Sequence, residues 1–213
     1  MILILIPNPL RPFRVIHRVV QEVQASGEEV LVTAVRRISV VYDNQGVVQL
    51  RHPTRGLLQP EVIFHWLGRQ AARSMLDILD AAGFRLMNPV KAWRTGFNKA
   101  MQLAVFERHG IPHPWSYFTY AGWRAVEPVL NWEAKQYVVK PHDGGRGHQV
   151  RKAARPAELR ELFARVERYR YGALVQEFLD HAPKPRHHYR INVVGGEPVT
   201  GGILYATREG MWV

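Results

Sequence analysis

Apolar residues run unbroken from Met1 to Ile6 and stop at Pro7-Asn8-Pro9, the mark of a buried strand entering a loop. Ile16, Val19, Val20 and Val23 then recur at i, i+3, i+4 and i+7, which predicts an amphipathic helix closed by Ser26-Gly27. Val30 to Val35 predicts a second strand. Val40 to Tyr42 and Val47 to Leu50 flank Asp43-Asn44-Gln45-Gly46, which predicts a hairpin. Val62 to Leu67 predicts another strand. Ala72, Met75, Leu76, Leu79 and Ala82 mark one face of a helix ended by Gly83. Strands alternating with helices over about 85 residues predict a small α/β sheet.

Asn88-Pro89 opens a new unit. Phe97, Met101, Ala104 and Val105 share a helical face that ends at His109-Gly110, and Ile111-Pro112-His113-Pro114 is a rigid connector. Tyr137 to Lys140 predicts a strand, and His142 to Gly147 a glycine-rich loop. Pro156 sits where a first-turn proline belongs, ahead of Leu159, Leu162, Phe163 and Val166. Leu174 to Leu179 and Ile191 to Val194 predict strands, the second turning at Gly195-Gly196.

Composition narrows the class. The 213 residues are 46% hydrophobic and 22% charged, ordinary globular usage that excludes disordered and fibrous chains. No apolar run approaches a bilayer's thickness, and Met1 to Ile6 is not followed by a small-residue cleavage site, so neither a membrane span nor a signal peptide is expected. Cysteine is absent, which excludes disulfides, thiolate catalysis and thiolate metal sites and agrees with a cytoplasmic location. Lys and Arg number 29 against 18 Asp and Glu, a net charge of +11. Such a surface attracts polyanions, or is simply a solvated Arg-rich exterior.

The sharpest chemical feature is Val138-Val139-Lys140-Pro141-His142-Asp143-Gly144-Gly145-Arg146-Gly147. A lysine closing a strand, followed by three glycines in four residues, can set an ammonium beside exposed backbone N–H groups and cradle phosphate. The plain alternative is a turn between strands. No Gly-Lys-Ser/Thr follows, so the loop is not a Walker A sequence. His181, His187 and His188 are either metal ligands or a solvated loop. Trp115, Tyr117, Phe118, Tyr120 and Trp123 are either core aromatics or base-stacking groups. An RNA-binding protein is the reading the basic charge and these aromatics would support together.

Four further pieces occur in order around the glycine loop: Phe84 to Pro89 with Asn98-Lys99 after it, Gly110 to Pro114, Leu174-Val175-Gln176-Glu177-Phe178-Leu179, and Tyr189 to Gly196. Together they resemble the ATP-grasp superfamily, most closely its RimK-like carboxylate–amine ligases. The resemblance implies an α/β (α+β) architecture: a Rossmann-like pre-ATP-grasp domain over 1–88, then an incomplete ATP-grasp domain over 89–213. That second domain divides into a small central subdomain, 89–173, carrying the glycine loop, and the start of a C-terminal subdomain, 174–213.

The implied roles follow residue by residue. Lys99 and Lys140 resemble the two lysines that neutralise ATP phosphates, and Gly144, Gly145 and Gly147 the mobile loop above them. Gln176, Glu177, Phe178 and Leu179 resemble the hinge whose backbone reads adenine. Arg190 resembles the catalytic arginine of the family's Asp-x-Arg strand, and His188 stands where that motif has Asp, beside the nucleotide. Asn98 replaces the family's Asp before the first lysine. The family's magnesium ligands, an acid and then Glu-x-Asn, have no counterpart after Gln176, where the acids are Glu177, Asp180, Glu197 and Glu209. They are expected beyond Val213, so the sequence reads as a truncated form.

The function so implied is ATP- and magnesium-dependent joining of a carboxylate to an amine through an acylphosphate. An acidic peptide or carrier protein suits the positive charge as substrate. A non-catalytic nucleotide-binding fragment or pseudo-enzyme is the alternative. Neither a membrane nor nucleic acid is an expected partner, and assembly into a homo-oligomer is compatible with the sequence.

Overall fold

The strand at the N-terminus is apolar at every position because both of its faces are covered. In the computed structural model, which describes residues 1–7, 14–44, 46–67, 69–131, 136–142, 150–167, 172–179 and 187–205, β1 (Ile2–Ile6) lies inside a four-stranded sheet. That sheet is entirely parallel, in the order β2 (Val30–Ala34), β1, β6 (Val62–His65), β7 (Leu86–Met87). Parallel strands flanked by helices bury both faces and lose the alternation of a half-exposed strand. Ile4 and Ile6 pack with Ile16, Val19 and Val20 of α1 (Arg14–Ala25), while Leu3 and Leu5 face Leu76 and Leu79 of α2 (Arg69–Ala81).

The helix ends follow local chemistry. Gly27, at φ +85°, takes the left-handed conformation that closes α1, and its N–H donates to Gln24 O at 3.0 Å. Gly83, at φ +79°, does the same for α2. The predicted hairpin forms as β3 (Ser39–Tyr42) against β4 (Val48–His52), and a third strand, β5 (Gly56–Leu58), extends it. Leu50 and Leu58 of this meander complete the core over Leu3 and Leu5. β5 has only three residues, too few to show a period.

The chain divides into two compact units, Met1–Gly96 and Phe97–Val213. After Asn88-Pro89, helix α3 (Val90–Phe97) packs Val90 and Trp93 onto the first unit's core, and Arg94 pairs with Asp77 of α2 at 2.6 Å. Phe97 therefore ends α3. It does not share a helix with Met101, because Asn98 is extended (φ −115°, ψ 106°) and starts a new helix, α4 (Lys99–Arg108).

The second unit is built on an antiparallel sheet in the order β10 (Arg151–Ala153), β9 (Tyr137–Pro141), β11 (Ala173–Glu177), β8 (Ser116–Thr119). One face carries the core. Tyr137, Val139, Ala153, Ala173 and Val175 meet Leu159 and Phe163 of α6 (Pro156–Glu167) and Val126 of the short α5 (Trp123–Val126), which runs into a 3-10 turn, Glu127–Val129. Trp115, Tyr117 and Trp123 pack against this core, whereas Phe118 and Tyr120 are exposed. β12 (His187–Val194) and β13 (Glu197–Tyr205) form a two-stranded ribbon turning at Gly195 and Gly196, both at positive φ. Among the described residues no helix is long and apolar enough to cross a membrane.

Candidate functional site

Alternation along β9 sends Tyr137 and Val139 into the core and leaves Val138 and Lys140 on the opposite face. The register of the neighbouring strands sets what they meet. Lys140 lies beside Leu174, which lies beside Phe118; Val138 lies beside Gln176, which lies beside Ser116. One face of three strands thus gathers Lys140, Gln176 and Ser116. The Lys140 ammonium donates to Gln176 Oε1 at 2.5 Å, Gln176 Nε2 donates to Ser116 Oγ at 2.8 Å, and Ser116 Oγ donates to Pro114 O at 2.7 Å.

Lys99 reaches the same end of β9 from α4. Its backbone N–H donates to His142 O at 2.6 Å and its ammonium to Pro141 O at 3.3 Å. Asn98 caps the helix, its Oδ1 accepting from the N–H groups of Ala100 and Met101 at 3.0 and 3.1 Å. Asn and Asp cap equally well. The cap also occupies the first N–H groups of α4, so attraction for an anion here comes from the ammonium groups and not from the helix terminus.

Lys140 is the electrostatically stressed member. Burial chiefly, and then the Lys99 charge, push it down to about 8. Among the described residues no ion pair joins it to a carboxylate. Two cations of which one is partly desolvated form a site that gains from a polyanion, and phosphate is the anion such donors suit.

β11 ends at Glu177, so the expected hinge, Gln176 to Leu179, begins inside the strand. The Glu177 N–H donates to Trp115 O at 2.9 Å and the Phe178 N–H to Gln136 O at 2.8 Å, both within the sheet. Leu179 N–H makes no hydrogen bond among the described residues. Lys152, opposite Val138 on β10, sets its ammonium 3.7 Å from the centroid of the Phe178 ring, a cation–π contact.

Two further expected site residues belong to the hairpin ribbon. His188 and Arg190 are on the β12–β13 ribbon, paired with Leu204 and Gly202. Gly144, Gly145 and Gly147, and His181, lie outside the described residues. Among the described residues no group of three or more His, Asp or Glu could hold a metal. Among the described residues the two ammonium groups fit phosphate oxygens and cannot themselves ligate a divalent cation.

Sequence reasoning passed over the capping role of Asn98 and three further contributors. Asn98 carried a recognisable signal, an N-cap residue ahead of a helix. The Gln176 and Ser116 side chains and Lys152 carried none, since only strand register brings them to this face. His142 is buried, with Nδ1 3.1 Å from Gly172 O, so that nitrogen carries the proton. A Cβ on Gly172 would stand 2.5 Å from the Phe118 ring, so a larger residue there would displace that exposed ring.

No protein-family model and no curated protein matches the chain. Solved structures do. D-alanyl-alanine synthetase A from Vibrio cholerae is 13% identical with a TM-score of 0.72, over 100% of this chain and 68% of its own. A RimK domain ATP-grasp protein from Sphaerobacter thermophilus is 15% identical with a TM-score of 0.64, over 89% of this chain and 67% of its own. The ATP-grasp ligase PsnB, complexed with minimal precursor, Mg and ADP, is 20% identical with a TM-score of 0.56, over 84% of this chain and 65% of its own. The chain has the ATP-grasp fold.

Proposed function

We propose that the protein binds ATP at Lys99 and Lys140 and uses it to join a carboxylate to an amine. The observation that carries this reading is the pair of ammonium groups at the end of β9, one of them desolvated, on a fold shared with ligases. In the proposed reaction a carboxylate oxygen attacks the γ-phosphorus, ADP departs, and an acylphosphate forms. The amine nitrogen then attacks the acyl carbon, phosphate leaves, and the amine proton passes to solvent. Lys140 and Lys99 offset the phosphate charge and orient the triphosphate, which is where such catalysis gains its rate. Leu179 N–H meets the adenine edge, which favours ATP over GTP. PsnB is complexed with the precursor peptide PsnA2 and AMPPNP in another structure. A peptide substrate is therefore part of this proposal, and one rich in Asp and Glu matches the +11 charge. A cytoplasmic setting, which supplies ATP, completes it.

The test is titration calorimetry with ATP and GTP on the wild type, Lys99→Ala and Lys140→Ala. Loss of a charge-assisted contact weakens binding roughly 10- to 150-fold. Unchanged ATP affinity in both variants would remove the phosphate assignment, and equal affinity for GTP would remove the hinge. ADP release with a panel of amino acids and acidic peptides then separates ligation from nucleotide binding without turnover.

A further inference from the structure

We infer that Gln176 and Ser116 are positioning residues whose side chains aim the Lys140 ammonium and hold it ready for an anion. The chain of hydrogen bonds has only one polarity. Its far end is the Pro114 carbonyl, which can only accept, so the Ser116 hydroxyl spends its proton there. The hydroxyl oxygen then accepts from the Gln176 amide nitrogen, and this turns the amide oxygen toward Lys140. Flipping the amide would place two donors against the ammonium and leave the hydroxyl facing a carbonyl. An ammonium has three N–H groups. One is fixed on Gln176, and among the described residues no hydrogen bond takes the other two, which suit phosphate oxygens.

The groups around Lys140 make this tether consequential. Lys99 on α4 repels it. Lys152 on β10 sits over Phe178. On β11, Glu177 alternates to the opposite face, and on β8 the residues of the shared face are the neutral Ser116 and Phe118. His142 beyond β9 is turned to Gly172. Gln176 is thus the described acceptor that answers the Lys140 charge. This gives Gln176 a role through its side chain, distinct from a backbone contact to adenine. The inference rests on the reading that Lys140 meets ATP phosphates, and its test separates the two.

The experiment follows Lys140 by NMR in the full chain labelled with 13C-lysine, with the signal assigned by Lys140→Arg. It titrates the wild type, Gln176→Glu, Gln176→Leu, Ser116→Ala and Ser116→Thr, with circular dichroism confirming folding. In parallel the ATP dissociation constant is measured from pH 7 to pH 9.5. Gln176→Glu places a carboxylate on the ammonium and raises the Lys140 midpoint by about one unit or more; Gln176→Leu removes the acceptor and lowers it by about one unit. Ser116→Ala shifts it in the same direction as Gln176→Leu, and Ser116→Thr, which keeps the hydroxyl, restores it. The pH at which ATP affinity falls moves with the midpoint. A midpoint unmoved in both Gln176 variants overturns the inference even where ATP binds. Midpoints that move as stated in a protein that does not bind ATP uphold the tether and overturn the nucleotide reading alone.

Discussion

Replacing Lys140 by methionine should stabilise the protein while removing its response to ATP. An unfolded lysine titrates near 10.5, and in the folded chain Lys140 is pushed down to about 8 by burial and by Lys99. The sign follows from which state binds the proton more tightly. Below pH 8 the side chain is charged in both states, and folding bears the whole cost of confining that charge. Between 8 and 10.5 the folded chain releases the proton first and the cost declines; above 10.5 it is gone. The separation corresponds to roughly 3 kcal/mol at pH 7. Methionine keeps most of the stem's volume but leaves Gln176 Oε1 without its donor, a loss of about 1 kcal/mol. The net gain is about 2 kcal/mol, or a Tm rise of about 5 °C for a chain of this size. At pH 10 the remaining cost is below about 1 kcal/mol and the gain should vanish. Differential scanning calorimetry at pH 7 and pH 10, with and without ATP, measures all three effects. The reasoning fails if Lys140→Met is no more stable than the wild type at pH 7. It fails equally if its advantage is the same at both pH values, since ionisation would then not be the cause.

Two further outcomes test the surrounding structure. Asn98→Ala should cost about 1 kcal/mol in urea unfolding by exposing the Ala100 and Met101 N–H groups, whereas Asn98→Asp should be near neutral because Asp caps as well; equal losses in the two variants would contradict the capping role. In the first unit, His52 is buried, with Nδ1 accepting from the Thr54 N–H at 3.3 Å and Nε2 3.1 Å from Thr33 Oγ1. Burial foremost, and Arg37 and Arg55 after it, hold it below the usual histidine range. Stability tied to neutral His52 is therefore present above about pH 6.5 and declines as pH falls below it. His52→Gln should flatten that part of the Tm profile, and an unchanged slope would show that another group titrates there.

Much of the architecture was legible in the order of residue types. A six-residue apolar run can be satisfied only by cover on both faces, so β1 reads as a central strand before any partner is known. The stripe Ile16, Val19 and Val20 and the glycines 27 and 83 needed nothing beyond helical geometry and the left-handed preference of glycine. Lys140 at a strand end and Lys99 at a helix start were identifiable because charge and local structure coincide at single positions. What stayed hidden depends on pairings remote in the chain. Phe97 fits the face of α4 by spacing, yet it ends α3, because the Asn98 cap breaks the helix and the first unit's core holds Val90 and Trp93. Gln176 stands 36 residues from Lys140 and 60 from Ser116. No local rule places an amide beside an ammonium across that distance; strand register does, and a shift of one residue would turn Gln176 into the core. The order of residue types was enough for the longer periodic elements and for the two cations, and not for the short strands β5, β7, β8 and β10. That one cation is partly desolvated and hydrogen-bonded to a remote amide emerges only from the folded chain, because burial and register are properties of strands brought together.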